Sequence, residues 1–174
     1  MTRFERTLDM DVVRNILTHP RIYPHISDDH SPPVDEYDPP RHDSIWYVLA
    51  FDEDAGDELL GLWMFVPQNS VCWEVHTALL PLAWGERGHA AARVLPDWIF
   101  AKTSCRRIVT NVPSTNRLAL RFAISAGMKI YGVNRESFLK DGILCDQVCL
   151  GISPFLEEPV EEAEAAKEET CQQQ

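Results

Sequence analysis

The chain has 174 residues, 45% of them hydrophobic, enough for one sizeable core and too few for two comfortable domains. Its formal charge is −11, yet seven glutamates between Glu157 and Glu169, set against Lys167 alone, carry more than half of that, so the body is only mildly acidic. There is no clustered basic surface of the kind a nucleic-acid backbone needs, no stretch near the roughly 20 apolar residues of a membrane span, and no apolar run after Met1 that would read as a secretion signal. A soluble, cytoplasmic protein with no direct nucleic-acid partner and no membrane partner is expected.

Arg3 to Leu8 reads as a first strand. Asp9 then caps a helix that carries Met10, Val12, Val13, Ile16 and Leu17 and stops by Pro20. From Arg21 to Asp43 the density of Pro, Asp and His predicts a long loop that covers a site or binds something. Ile45–Phe51 and Glu58–Val66 form a hairpin around an acidic, glycine-containing turn, and Val71–Leu79 follows as the next strand of a meander. An alanine-rich helix from about Gly88 to Lys102 contains Pro96, which predicts a kink unless a new turn begins there. Cys105–Val112 is a strand. Thr115–Ala126 is a helix capped by Ser114 or Thr115 and ended by Gly127. Met128–Val133 and Gln147–Ile152 close the series, with Lys140-Asp141-Gly142 as the turn between longer hairpin arms.

The resulting order is β-α-β-β-β-α-β-α-β-β, an α/β (α+β) class domain over residues 1–154. The Glu/Ala/Gln-rich residues 155–174 cannot bury much apolar surface and read as a disordered acidic tail. Five cysteines, an odd number without a Cys-x-x-Cys pair, predict reduced thiols and neither a disulfide framework nor a zinc site. His25, Asp28, Asp29, His30 and His42 in the long loop lack the fixed spacing of metal ligands, so no metal is expected.

The most informative stretch is Leu80 to Ala91, between a strand and a helix. Gly85 and Gly88 allow the backbone to turn its N–H groups toward an anion, and the positive end of the helix dipole favours a pyrophosphate there. A second stretch runs from Ile108 through Asn116, Ala119 and Phe122 to Gly127-Met128. Together they resemble the GNAT acetyltransferase family, whose pattern is a strand, an Asn-x-x-Ala helix and a Gly-Phe-like pair opening the next strand. The family's earlier Gln/Arg-x-x-Gly-x-Gly/Ala loop falls on Gly85 to Ala90, with Gly85 in place of the usual polar residue.

The resemblance spans Arg3 to Ile152. It implies the GNAT fold, a mixed and mostly antiparallel sheet of about seven strands flanked by helices. It further implies that the strands at Val71–Leu79 and Ile108 splay apart to hold acetyl-CoA. Main-chain groups near Leu79, Leu80, Arg87, Gly88, His89 and Ala90 would bind that cofactor, with Asn116 contacting it from the later helix, and the Arg21–Asp43 loop would lie beside the acceptor entrance. Acyl transfer to an amine needs a base, and Glu74 and His76, two apart and therefore on one face of a strand, are the candidates. The tyrosine that many members carry seven residues after the Asn is here Ala123.

The expected activity is an acetyl-CoA-dependent N-acetyltransferase acting on a primary amine, either a protein amino terminus or a small molecule. Gly127-Met128, Gly132, Arg135, Asp141-Gly142 and Asp146 look most like the branch that acetylates ribosomal-protein amino termini. The alternative is a non-catalytic GNAT-fold assembly protein of a phage virion, partnered by virion proteins, since the chain also looks like a phage-encoded branch that includes a head-assembly protein of short-tailed phages. Gly85, Ala123 and the acidic tail suit that alternative.

Overall fold

A computed structural model describes residues 1–154, and the acidic tail read at 155–174 lies outside them. The elements are β1 (Thr2–Thr7), α1 (Met10–Leu17), α2 (Tyr23–Ile26), β2 (Trp46–Asp52), β3 (Glu58–Pro67), β4 (Cys72–Leu79), α3 (Glu86–Lys102), β5 (Arg107–Pro113), α4 (Arg117–Ser125), β6 (Lys129–Lys140) and β7 (Ile143–Ile152). They build one seven-stranded sheet in the order β1-β2-β3-β4-β5-β7-β6. All neighbours are antiparallel except β4 and β5.

Asp9 caps α1 as the sequence suggests, its carboxylate accepting the N–H groups of Asp11 and Val12. Three local expectations are corrected. The long loop contains the one-turn helix α2. The cap of α4 is Asn116, which accepts the Ala119 N–H at 3.1 Å, rather than Ser114 or Thr115. The final hairpin is much longer than Met128–Val133 and Gln147–Ile152, because its arms run on past the end of β5, where only the two strands hold each other. Helix α3 continues through Pro96, which is buried.

The sheet separates two cores. Phe65, Trp73, Val75, Ile108 and Leu150 face α3 and α4, where they meet Ala91, Ala92, Leu95 and Ile99. Tyr47, Leu49, Leu62 and Ala78 face α1, which contributes Val13, Ile16 and Leu17. Each fully buried Leu, Ile or Phe side chain stabilises the fold by about 1.5–3 kcal/mol over an exposed one.

Ala50 pairs with Gly61 while Phe51 pairs with Leu59, so Leu60 is an extra residue in β3 and swings into the α3 core, only 1% exposed. Gly61 beside it has φ +141°, and a Cβ there would stand 2.3 Å from the Ala78 carbonyl oxygen. The missing side chain lets β3 approach β4 just where β4 ends.

Candidate active site

Strands β4 and β5 pair over only three residues, Cys72–Glu74 against Arg107–Val109, and then part. The direction of the β4 main chain follows from its ends. The Gln68 N–H donates to the Cys72 carbonyl and the Leu80 N–H to the Leu60 carbonyl, so the even-numbered residues of β4 bond toward β3. The main-chain groups of Val75, Thr77 and Leu79 therefore point into the opening. Of the predicted pair at the strand end, the Leu80 N–H is taken by β3. The Leu79 carbonyl accepts the Trp84 indole N–H at 2.9 Å, which leaves the Leu79 N–H facing the gap.

A single 3-10 turn, Pro81–Ala83, carries the chain from β4 to Gly85, whose φ is +99°, and α3 begins at Glu86. The first intrahelical bond runs from the His89 N–H to the Gly85 carbonyl, so the N–H groups of Glu86, Arg87 and Gly88 emerge from the helix end, where the dipole is positive. Gly88 is buried. A Cβ on it would lie 2.6 Å from the Ala83 carbonyl oxygen and 2.7 Å from Leu79 Cδ1, so its smallness holds the turn against the end of β4.

Two predicted residues use their side chains elsewhere. The Arg87 guanidinium donates to Asp52 (2.8 Å) and Glu58 (2.7 Å), which pins α3 to the β2–β3 hairpin and leaves its main chain alone at the helix end. The ring of His89 contacts the Ser125 hydroxyl and lies 5.1 Å from the Phe122 ring, tying α3 to α4. Ala90 follows at the start of the second turn of α3, and the Asn116 side-chain oxygen is committed to its capping bond.

Glu74 and His76 project together on the α1 face of the sheet. Glu74 is largely buried. Its Oε1 accepts from Asn111 Nδ2 and its Oε2 from Gln68 Nε2, both at 3.2 Å, so the carboxylate bridges β4 to β5 at the point where they part. The Nε2 of His76 lies 3.9 Å from Glu74 Oε1, and its side chain keeps 51% of its surface exposed. Desolvation lowers the His76 pKa below the ordinary histidine value and Glu74 partly opposes the shift, which favours the neutral ring. Beside it opens a cleft of about 100 Å³ lined by Leu17, Ile26, Tyr37, Leu62, Met64, His76, Thr77 and Ala78.

Ala123 is buried in the α3 core. Tyr131 occupies a bulge in β6 with the Arg107 guanidinium 5.0 Å from its ring centre, and burial raises its pKa. Among the described residues no three His, Cys, Asp or Glu side chains converge as metal ligands. Asp28 instead accepts the Ser31 hydroxyl at 2.8 Å, and Asp29 the N–H groups of Asp141 and Gly142. Sequence reasoning missed Gln68, Asn111 and Trp84. Asn111 left a signal, since an Asn amid the β-branched run Ile108–Val112 is costly in a strand unless its amide has a partner.

A seven-stranded mixed sheet that opens between its fourth and fifth strands, with a helix N-terminus at the opening, is the acetyltransferase fold of GNAT proteins. The spermidine N-acetyltransferase from Vibrio cholerae, solved in complex with CoA and spermine, superposes with a TM-score of 0.70 at 17% identity over 87% of this chain and 95% of that one. A GNAT-family acetyltransferase from Bacillus anthracis gives 0.53 at 17% identity over 63% of this chain and 66% of that one. At these identities the likeness is one of fold. No protein-family profile and no curated protein matches the sequence. Among the described residues no helix is long and apolar enough to cross a membrane.

Proposed function

We propose that the protein is an acetyl-CoA-dependent N-acetyltransferase acting on a primary amine. The observation that carries this reading is the placement of the Glu74–His76 pair at the edge of the β4–β5 opening, beside a cleft that could admit an amine. Residues around the opening fit acetyl-CoA. The outward main-chain groups of Val75, Thr77 and Leu79 suit an amide-bearing arm, and the free N–H groups of Glu86, Arg87 and Gly88 suit a pyrophosphate. Asn116 stands at the start of α4 as the contact implied from that side. The solved neighbours include an enzyme holding CoA and spermine on the same fold, which supports the reading.

Acetyl-CoA would supply the thioester, whose acyl carbon forms a C–N bond with the amine as its C–S bond breaks and the sulfur departs as thiolate. His76 takes the proton that the amine must lose, its lowered pKa keeping it unprotonated beforehand. Glu74, held by Gln68 and Asn111, stabilises the imidazolium so formed. With Ala123 at the place where many members of the family it resembles carry a tyrosine, α4 offers no side-chain acid there.

Calorimetric titration of acetyl-CoA tests the first half, and acetyl-pantetheine, which lacks the pyrophosphate, should bind more weakly. His76→Gln should retain acetyl-CoA binding and lose about 100-fold or more in turnover. A folded protein that binds no acetyl-CoA would instead leave the non-catalytic assembly reading.

A further inference from the structure

Two walls of the cleft beside His76 come from the long loop, and both are clamped. The Tyr37 wall is held by Arg14, whose Nε donates to the Tyr37 carbonyl at 2.8 Å and whose guanidinium donates to the Asp35 carbonyl at 2.7 Å. The Ile26 wall is held by a residue distant in sequence, Lys140, which donates to the carbonyls of Pro24 (3.2 Å) and Ser27 (2.8 Å) on either side of Ile26. Asp29 fastens the same segment to the β6–β7 turn through the N–H groups of Asp141 (2.8 Å) and Gly142 (2.7 Å). One wall of the cleft is thus set by Arg14, 21 to 23 residues away in sequence, and the other by the β6–β7 hairpin, more than 100 residues away.

Its chemistry is apolar. Leu17, Ile26, Leu62, Met64 and Ala78 supply most of the lining, and Tyr37, His76 and Thr77 the polar remainder, with no carboxylate among the eight. Glu74 lies outside this lining and is already shared between Gln68, Asn111 and His76. Of the loop's acidic side chains, Asp28 and Asp29 are spent on the loop's own hydroxyl and on the hairpin turn, Asp38 pairs with Arg41 at 3.3 Å, and Asp35 and Glu36 are exposed and outside the lining. A second ammonium carried into this pocket would lose its hydration and find no counter-charge on the walls.

From this we propose that the acceptor is a primary amine on a short, uncharged stem, whose carbon atoms rest against Ile26, Leu62 and Met64 while its nitrogen meets His76. A polyamine would have to seat a charged stem against these apolar walls, which disfavours it. The inference rests on the acetyltransferase reading and narrows its substrate class. Two sources share this chemistry: a simple alkylamine, and the amino terminus of a peptide that begins with a small uncharged residue.

The test compares butylamine, an Ala-Ser-started peptide amide and spermidine on the full chain. Binding of each to the CoA-loaded protein is measured by calorimetry, and acetyl transfer is measured separately. The uncharged-stem amines should bind more tightly than spermidine and exceed it more than about tenfold in kcat/KM. The ranking of butylamine against the peptide then distinguishes the two sources. Ile26→Asp, at a position 38% exposed that tolerates a polar side chain, should shift the preference toward spermidine by placing a carboxylate on the wall. Equal or tighter binding of spermidine to the wild type would overturn the proposal, as would a CoA-loaded protein that binds none of the three. Failure to bind acetyl-CoA at all is a different result and sinks the underlying acetyltransferase reading.

Discussion

The ammonium of Lys140, in the β6–β7 hairpin, lies 2.8 Å from the carbonyl oxygen of Ser27, at the end of α2. This contact joins the last hairpin of the sheet to the loop that walls the cleft. Helix α2 is a single turn with no buried residue of its own, so it depends on this contact, on the bonds from Asp29 to the same hairpin and on the packing of Tyr23 against Tyr37.

Replacing Lys140 by Met should therefore raise KM for the amine several-fold and cost about 1 kcal/mol of stability, while Lys140→Arg restores part of both. Steady-state kinetics together with urea unfolding measure the two effects. An unchanged KM would mean that α2 keeps its place without the latch.

For His76 the sign follows from the lowered pKa. The unfolded chain takes up a proton near the ordinary histidine value of 6.5, while the folded protein resists it to lower pH. Stability is thus fully present above pH 6.5 and is lost as pH falls through that value toward the folded pKa. Thermal melts at pH 7.5 and pH 5 should show a larger fall in Tm for the wild type than for His76→Gln. Turnover of the wild type should show an acid limb in the same window.

At Gly88 an added methyl group meets the Ala83 carbonyl oxygen at 2.6 Å, a main-chain atom that cannot swing aside. Gly88→Ala should destabilise the fold by about 1–3 kcal/mol, seen as a lower denaturation midpoint. A variant with wild-type stability would show that the strand-to-helix turn can relax.

Tyr47 is 3% exposed, its hydroxyl donates to the Pro40 carbonyl at 2.8 Å, and burial pushes its pKa up to about 12. Tyr47→Phe should cost about 1 kcal/mol by unpairing that carbonyl, with the core otherwise intact. Urea unfolding would register the loss, and a neutral substitution would mean that water replaces the hydroxyl.

Much of the candidate site was legible because it is local. Glu74 and His76 share a face by strand alternation alone, and Gly85 and Gly88 mark the turn into α3 by the backbone freedom they confer. Arg87 and His89 are less transparent. Their positions near the helix start are readable, but their side chains run to Asp52, Glu58 and Ser125, at distances along the chain that no local pattern encodes. Gln68 and Asn111 escaped for the same reason, since their meeting at Glu74 depends on the register of β3, β4 and β5.

The sequence by itself determined the element order apart from the one-turn α2, the cap of α1, and the meander from Trp46 to Leu79. Periodicity, caps and turn residues act over a few neighbours and need no partner. Only the tertiary structure decided that β4 and β5 pair for three residues and then part, that Asn116 caps α4, and that Lys140, Asp141 and Gly142 of the last hairpin hold the cleft loop through Ser27 and Asp29. Those outcomes depend on which distant surfaces pack together, and there the strand register and the close approach allowed by Gly61 set what each side chain can reach.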